Sequence, residues 1–295
     1  MSPRVSVVIP AYNNVSYIRN TLESVLNQDY EDYEVVIADH SSADATALVI
    51  EQFAGDKRLR ILSPTVAGGG AKHNWQRVTQ EARGELVKLV CGDDLIDPQL
   101  LSRQVAAFDL FPDLTLCAVR RRLVDETGSV IMPSRGIPKK LYGHHQGAKA
   151  VRATVHSGTN IFGEPCCIMM RADALQNIGG WDDTNPYVID ERTYCRVLLE
   201  DVKAGRGGFF GIEEALASFR VSANQWSVRL AKSQSAQVGE FHNNMHQMYP
   251  QVVSDSDVLA GNLQARAMAY GRRAVYFGLG IKKAVAKPLH STNHH

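Results

Sequence analysis

Acidic side chains that could share one cation stand at separated points of the chain. Gly92-Asp93-Asp94 sets two carboxylates side by side after a glycine, and hard divalent ions such as magnesium or manganese take oxygen ligands from clustered carboxylates and substrate phosphates. Asp39 follows the apolar run Glu34-Val-Val-Ile-Ala38, and Asp190 lies in Tyr187-Val-Ile-Asp-Glu-Arg192. A single carboxylate of this second kind can take the proton of a hydroxyl held against it. Each group also has a structural reading: Asp93, Asp94 and Asp97-Pro98 as turn and helix-cap residues, and Asp190 as an acid complementing a helix N-terminus.

Missing motifs narrow the chemistry. A dinucleotide-binding turn needs glycines directly after its first strand, but here that turn is Pro10-Ala-Tyr-Asn13 and the first glycine is Gly55. The chain also lacks GxxxxGK[ST], HExxH and GxSxG, the marks of P-loop, zincin and common serine-hydrolase sites. A nucleotide site without a glycine cradle remains, in which a cation must neutralise the phosphates.

The elements that position these residues alternate in the first hundred positions. Val5-Ser-Val-Val-Ile9, Glu34-Val-Val-Ile-Ala38, Arg60-Ile-Leu62 and Glu85-Leu-Val-Lys-Leu-Val90 read as buried strands. Between them, Val15, Ile18, Leu22, Val25 and Leu26 recur at helical spacing with Asn13 or Asn14 as cap. Ser42-Ala-Asp44 opens a second helix, and a third covers about 72–81 after the glycine loop Ala67-Gly-Gly-Gly-Ala71. This alternation predicts an α/β fold, a Rossmann-like, mainly parallel sheet flanked by helices. Ligands bind such sheets at the carboxyl ends of the strands, where Tyr12, Asp39 and Asp93 fall. In the second half, Leu116-Cys-Ala-Val119 reads as a strand and Asp125-Glu-Thr-Gly128 as a hairpin turn. Residues 133–158 read as a long surface loop or lid, 171–177 and 190–203 as helices, and 228–295 as a helical C-terminal extension.

Composition is that of an ordinary globular chain: 44% hydrophobic and 21% charged over 295 residues, with a formal net charge of +1. That balance gives no electrostatic reason to expect nucleic acid. Five cysteines without a CxxC pair suit a reducing compartment, and no apolar stretch approaches a membrane span. A cytoplasmic protein is expected, with peripheral contact at the inner face of the cytoplasmic membrane open around residues 271–278, where basic and apolar residues adjoin; a simple packed helix is the other reading of that segment.

Taken in order, Val7-Val-Ile-Pro-Ala-Tyr-Asn13, Val36-Ile-Ala-Asp39-His-Ser-Ser-Ala-Asp44, Ala82-Arg-Gly-Glu85 and Cys91-Gly-Asp-Asp94 resemble family 2 glycosyltransferases of the GT-A fold, over about residues 4–227. The resemblance implies a GT-A domain over 1–227, with a nucleotide-binding half (1–100) and an acceptor-binding half (101–227), followed by the extension 228–295. It also implies inverting transfer from a nucleoside-diphosphate sugar, a UDP-sugar foremost, with Mn2+ or Mg2+. The acceptor would be a saccharide or lipid-linked saccharide of surface polysaccharide synthesis.

Residue by residue, the resemblance gives Pro10, Ala11, Tyr12 and Asn13 to the nucleoside, Asp39 to the base and Lys72 to the diphosphate. Asp94 would hold the metal, with Asp93 on the ribose or sharing the ion. Asp190 would be the base that activates the acceptor. His40, Ser41, Cys91, Ile189 and Ser222 depart from the family pattern, and Asn224 or Gln225 could stand in for the histidine that Ser222 replaces. On the acceptor side, Trp181 either stacks on a sugar or packs in the core, and Glu164 either bonds the acceptor or forms a salt bridge. Arg220 is a phosphate or a structural contact. The rival functions are a non-catalytic nucleotide-sugar or glycan-binding module and a nucleotidyltransferase; the latter would want a glycine-rich loop after the first strand.

Overall fold

Strand β1 (Val5–Ala11) is buried along its whole length, as its apolar run, interrupted only by the hydrogen-bonded Ser6, requires of a strand covered on both faces. It pairs in parallel with β2 (Tyr33–Asp39) and with β4 (Leu86–Leu89), and β2 pairs in parallel with β3 (Leu59–Ile61). The computed structural model describes residues 2–222 and 233–278, with 271–278 as backbone only. Helices α1 (Ile18–Leu26), α2 (Thr46–Glu51) and α3 (Gly70–Gln80) link these strands. α1 buries Ile18, Thr21, Leu22 and Val25, the i, i+3, i+4, i+7 stripe of an amphipathic helix. Each buried aliphatic side chain contributes roughly 1.5–3 kcal/mol. The helix begins at Ile18, leaving Val15 exposed. Asn14 does not cap it through its side chain, whose oxygen instead accepts the amide of Tyr12.

The second half continues the same sheet. β5 (Leu95–Ile96), α4 (Leu100–Leu110) and β6 (Leu114–Val124) lead through a hairpin into β7 (Val130–Arg135). β9 (Ile168–Arg171) runs antiparallel to both β4 and β6 and so joins the halves, and β10 (Gly208–Arg220) lies parallel to β6. The order is β3-β2-β1-β4-β9-β6-β10-β5, with β7 on β6 and β8 (Gly143–Gln146) on β10. Helices α6 (Ala172–Asn177) and α7 (Ile189–Glu200) fall where the apolar spacing places them.

Residues 133–158 are not a loop. They complete β7, form β8 and end in α5 (Gly147–Ser157), which buries Gly147, Ala150, Val151, Thr154 and Val155. That is a full helical stripe built from small residues, two of which a hydrophobicity count misses.

After residue 233 the chain forms α8 (Gln234–Met248) and α9 (Asp255–Gly278). The two pack on each other and α9 packs on α5. Gly158, the left-handed cap of α5, lies so close to the α9 backbone at Gly261 and Ala265 that a Cβ there would strike both. Met245 and Tyr249 are buried as expected, while Met248 faces solvent. The side chains of Tyr276 and Phe277 and the residues Asn224 and Gln225 lie outside those described.

Candidate functional site

The strand register brings the acids to one edge. Ala11 stands beside Asp39, and Val90 donates its amide to the Val8 carbonyl, so the turn at 91–94 rises next to the end of β1. The loops are tied together: Asn13 accepts the Ala43 amide, Thr46 accepts the Asn14 amide, and the Asn14 carboxamide fills the place a Cβ on Gly92 would take. Any side chain at 92 would displace that carboxamide from the acid turn.

Asp94 is 1% exposed. Its Oδ1 accepts the Arg220 amide at 3.2 Å, and beyond the Cys166 thiol, which also reaches the carboxylate, the buried Oδ2 meets no hydrogen-bond donor among the described residues. Burial first, and neighbouring Asp93 second, push its pKa well above the usual carboxylate range. A buried, incompletely satisfied carboxylate beside another acid is an environment that a cation would relieve. Among the described residues no group of three or more His, Cys, Asp and Glu side chains is arranged to hold an ion alone. An ion here would need oxygens from a ligand or water, which magnesium and manganese commonly take.

Arg220 does not present a free guanidinium to a phosphate. Its Nε donates to the Asp93 carbonyl at 3.0 Å and its Nη1 to the carbonyls of Asp125 and Glu126, and the group lies over the Tyr17 ring at 4.5 Å. Of the two roles open to it, the structural one is the one seen: it fastens the acid turn to the β6–β7 hairpin.

Asp190 lies at the start of α7. Its Oδ2 accepts Asn160 Nδ2 at 3.0 Å and its Oδ1 accepts the Glu191 amide at 2.8 Å. Burial is the largest influence on its carboxyl, the Glu191 amide opposes it and Glu164 adds to it, and the pKa is pushed up to about 7. Glu191 turns away into the core, where Thr154 Oγ1 donates to it. Glu164 pairs with buried Arg121, so its salt-bridge reading holds in this structure. The carboxylates of Asp94, Asp93, Asp190 and Glu164 all act on the Cys91 thiol, raising its pKa together with burial. Cys91 is thus a neutral thiol within electrostatic reach of four acids.

Beyond the end of β1, Tyr12 is 54% exposed and meets the buried His40 ring edge-on at 5.7 Å. Asp39 accepts both the amide and the hydroxyl of Ser42, forming the turn after β2. Asn13 adopts a left-handed backbone conformation. Pro10 and Ala11 are buried within β1, so they shape the strand end instead of offering side chains to a ligand. Lys72 pairs with Asp183 on the surface at 2.7 Å.

Trp181 does not line an acceptor groove. It is 2% exposed, its Nε1 donates to Thr79 Oγ1 at 3.0 Å, and it packs edge-on against Trp75 and Tyr194. The Gly-Gly turn before it brings its backbone amide onto Gln76, which drives the ring inward. Two site residues carry no motif, Arg121 and Asn160. The one available signal was Arg120-Arg121-Arg122 directly after an apolar strand, since a charge there must find a buried partner.

A mixed α/β sheet flanked by helices, with an acid turn after β4 and a second acid heading a helix from the other half, defines the GT-A class of fold. The chain belongs to glycosyl transferase family 2, whose family model matches residues 6–179. Chondroitin synthase of Escherichia coli is 32% identical over 152 residues, 50% of this chain and 21% of that protein. In fold, the chain resembles S. aureus TarS 1–349 in complex with UDP-GlcNAc, at a TM-score of 0.63 and 18% identity over 96% of this chain and 77% of that one. A mannosyltransferase from Pyrobaculum calidifontis in complex with GDP-Man and Mn2+ is similar at a TM-score of 0.63 and 16% identity, over 98% and 77%. The chain spans from 21% to 62% of the lengths of curated relatives it matches.

Proposed function

We propose that this chain transfers a sugar from a nucleoside-diphosphate sugar to a hydroxyl of a saccharide or lipid-linked saccharide acceptor, with inversion at the sugar carbon. The observation that carries the reading is Asp190: a carboxylate oriented by Asn160, its pKa pushed up to about 7, and lying with the buried Asp94 close enough to Cys91 for both to act on its thiol. A general base works best when its pKa lies near the working pH. Asp190 would take the acceptor proton on the face of the sugar away from the leaving group, and a single displacement of that geometry inverts the centre.

Residues 1–100 would bind the donor and 101–227 the acceptor. Tyr12 offers an exposed ring to the base, with Asp39 and Asn13 fixing the loop around it. Among the described residues Lys72 is held by a surface ion pair with Asp183, which costs little to exchange for a phosphate. Asp94, with Asp93, would hold Mn2+ or Mg2+, and that ion would stabilise charge on the departing nucleoside diphosphate. Structural neighbours in complex with UDP-GlcNAc, or with GDP-Man and Mn2+, support a donor of this class.

A thermal-shift panel of UDP-, GDP- and dTDP-sugars with and without manganese tests the reading, because a ligand bound only by the folded chain raises its melting temperature. A metal-dependent rise with one donor is expected. No rise with any of them would remove the donor site, and binding without transfer to any acceptor would favour a binding module.

A further inference from the structure

Helix α8 packs on the single turn Pro186–Val188 that leads into α7. Its buried stripe is Gln234, Val238, Phe241, His242 and Met245, and beside that stripe Gln237 makes a contact of another kind. Its Oε1 accepts the Tyr187 amide at 2.8 Å, and its Nε2 donates to Ser233 Oγ at 2.9 Å. Both ends of the carboxamide are engaged, so its orientation is fixed. Just past α8, the Tyr249 hydroxyl donates to Glu200 Oε1 at 2.6 Å, at the far end of α7.

The first amides of a helix have no partner inside it and take one from outside. Where α7 begins, the Val188 amide turns back to the Asn185 carbonyl and the Glu191 amide goes to Asp190 Oδ1. The Tyr187 amide goes across to α8. Asp190 Oδ2 must at the same time meet Asn160, whose carboxamide is held by the amides of Phe162 and Gly163. The bond between Asp190 and Asn160 therefore joins two separately anchored pieces, the turn at 160–163 and the first turn of α7. At 3.0 Å, a slip of about 0.6 Å between them would end it as a hydrogen bond.

We infer that Gln237 is a positioning residue for Asp190, holding the first turn of α7, through the Tyr187 amide, where the carboxylate meets Asn160. The inference deepens the reading of Asp190 as the base and rests on it for its effect on rate. It gives the C-terminal helices a part in the reaction, although the family model matches residues 6–179, ahead of α7 and α8 alike. Glu164 and Arg121, the charged side chains that act most on Asp190, belong to other elements. The route from α8 to the carboxylate runs through the backbone of residues 187–190.

The test removes the acceptor oxygen at 237 and then restores it. Gln237→Met and Gln237→Leu keep an unbranched or apolar filling without an acceptor, whereas Gln237→Glu keeps an oxygen for the Tyr187 amide. In either apolar variant kcat should fall about 10-fold, as displacement of a catalytic group by a fraction of an ångström does. The inflection in kcat/KM should move to higher pH by about half a unit or more, because Asp190 loses a donor that favours its charged form. The donor dissociation constant should stay within about twofold, and Gln237→Glu should return kcat to within about threefold of wild type. Tyr249→Phe, which frees the far end of α7, is the control for stability alone: it should lower the melting temperature and leave the inflection in place.

NMR of the full chain labelled with 13C at the aspartate carboxyls follows the Asp190 titration without turnover, so this readout stands apart from the rates. An unmoved Asp190 titration in a folded apolar variant, an equal shift in Tyr249→Phe, or a Gln237→Glu chain as slow as the apolar variants would overturn the inference. Asp190→Asn reports separately on the base: full transfer by that variant removes the catalytic reading, and the NMR shift still decides whether Gln237 holds Asp190.

Discussion

Asn160 donates through Nδ2 to Asp190 at 3.0 Å while its Oδ1 accepts the amides of Phe162 and Gly163. The two backbone amides fix which end of the carboxamide faces Asp190, so the carboxylate is oriented by the segment that precedes Glu164. The proposed base and its environment thus come from one local fold that no short motif encodes.

Asp190→Asn should lower transfer by roughly 100-fold or more, the usual worth of a positioned general base, while the donor dissociation constant changes less than about twofold. In wild type, kcat/KM should fall with acidity below an inflection near pH 7, the value toward which the Asp190 carboxyl is pushed. Steady-state kinetics across pH, beside calorimetric donor titration, checks both. Stability carries the same signature. Between about pH 4 and pH 7 the folded chain keeps a proton on Asp190 that the unfolded chain has lost, so this group makes stability decline as pH rises through that window. Relative to the Asn variant, wild type should lose about 4 kcal/mol of unfolding free energy across that window.

Arg220→Lys should destabilise the chain by about 2–3 kcal/mol, since an ammonium cannot reach the carbonyls of Asp93, Asp125 and Glu126 together and leaves buried acceptors unmet. Manganese-dependent donor binding should weaken with it, because the acid turn loses its anchor. Urea melts and the thermal-shift panel measure the two effects. A stable variant that loses only phosphate affinity would return Arg220 to direct ligand contact.

Lys88 is fully buried in β4, where its ammonium donates to the carbonyls of Cys166 and Ile168 and to Gln104. Burial lowers its pKa to about 8. Between about pH 8 and pH 10.5 the unfolded chain holds the proton that the folded chain releases, so this group adds stability as pH rises and withdraws it as pH falls through 8. Relative to Lys88→Met, wild type should gain about 3 kcal/mol across that window, read as the difference in denaturant midpoints between the two chains.

Trp181→Phe should cost about 1–3 kcal/mol of stability, through a lost hydrogen bond to Thr79 and a partly emptied site. The KM for acceptor should stay within about twofold of wild type. A large rise in that KM with unchanged stability would restore the ring to the acceptor groove.

How much of this was legible varies along the chain. Val5-Ser-Val-Val-Ile9 and Glu34-Val-Val-Ile-Ala38 are buried on both faces, so local composition alone marks them as strands, and the acids just past the strand ends follow. α5 hid because Gly147 and Thr154 occupy its buried stripe. β8 hid because Gly143-His-His-Gln146 pairs with β10 through backbone alone. Arg121, Asn160 and the inward turn of Trp181 depend on partners tens of residues away, and spacing within a segment carries no record of such contacts. Arg220 was recognisable as a site-side arginine, but which of its two roles it plays rests on the carbonyls it meets.

The backbone contact between Gly158 and α9 bears on how such chains can recombine. Any larger residue at 158, or at the facing Gly261, would lever the last long helix away from α5, so exchanging the tail of this protein for that of a relative succeeds only if both glycines travel together. The tail and the half of the molecule that carries Asp190 are, in that sense, inherited as one piece.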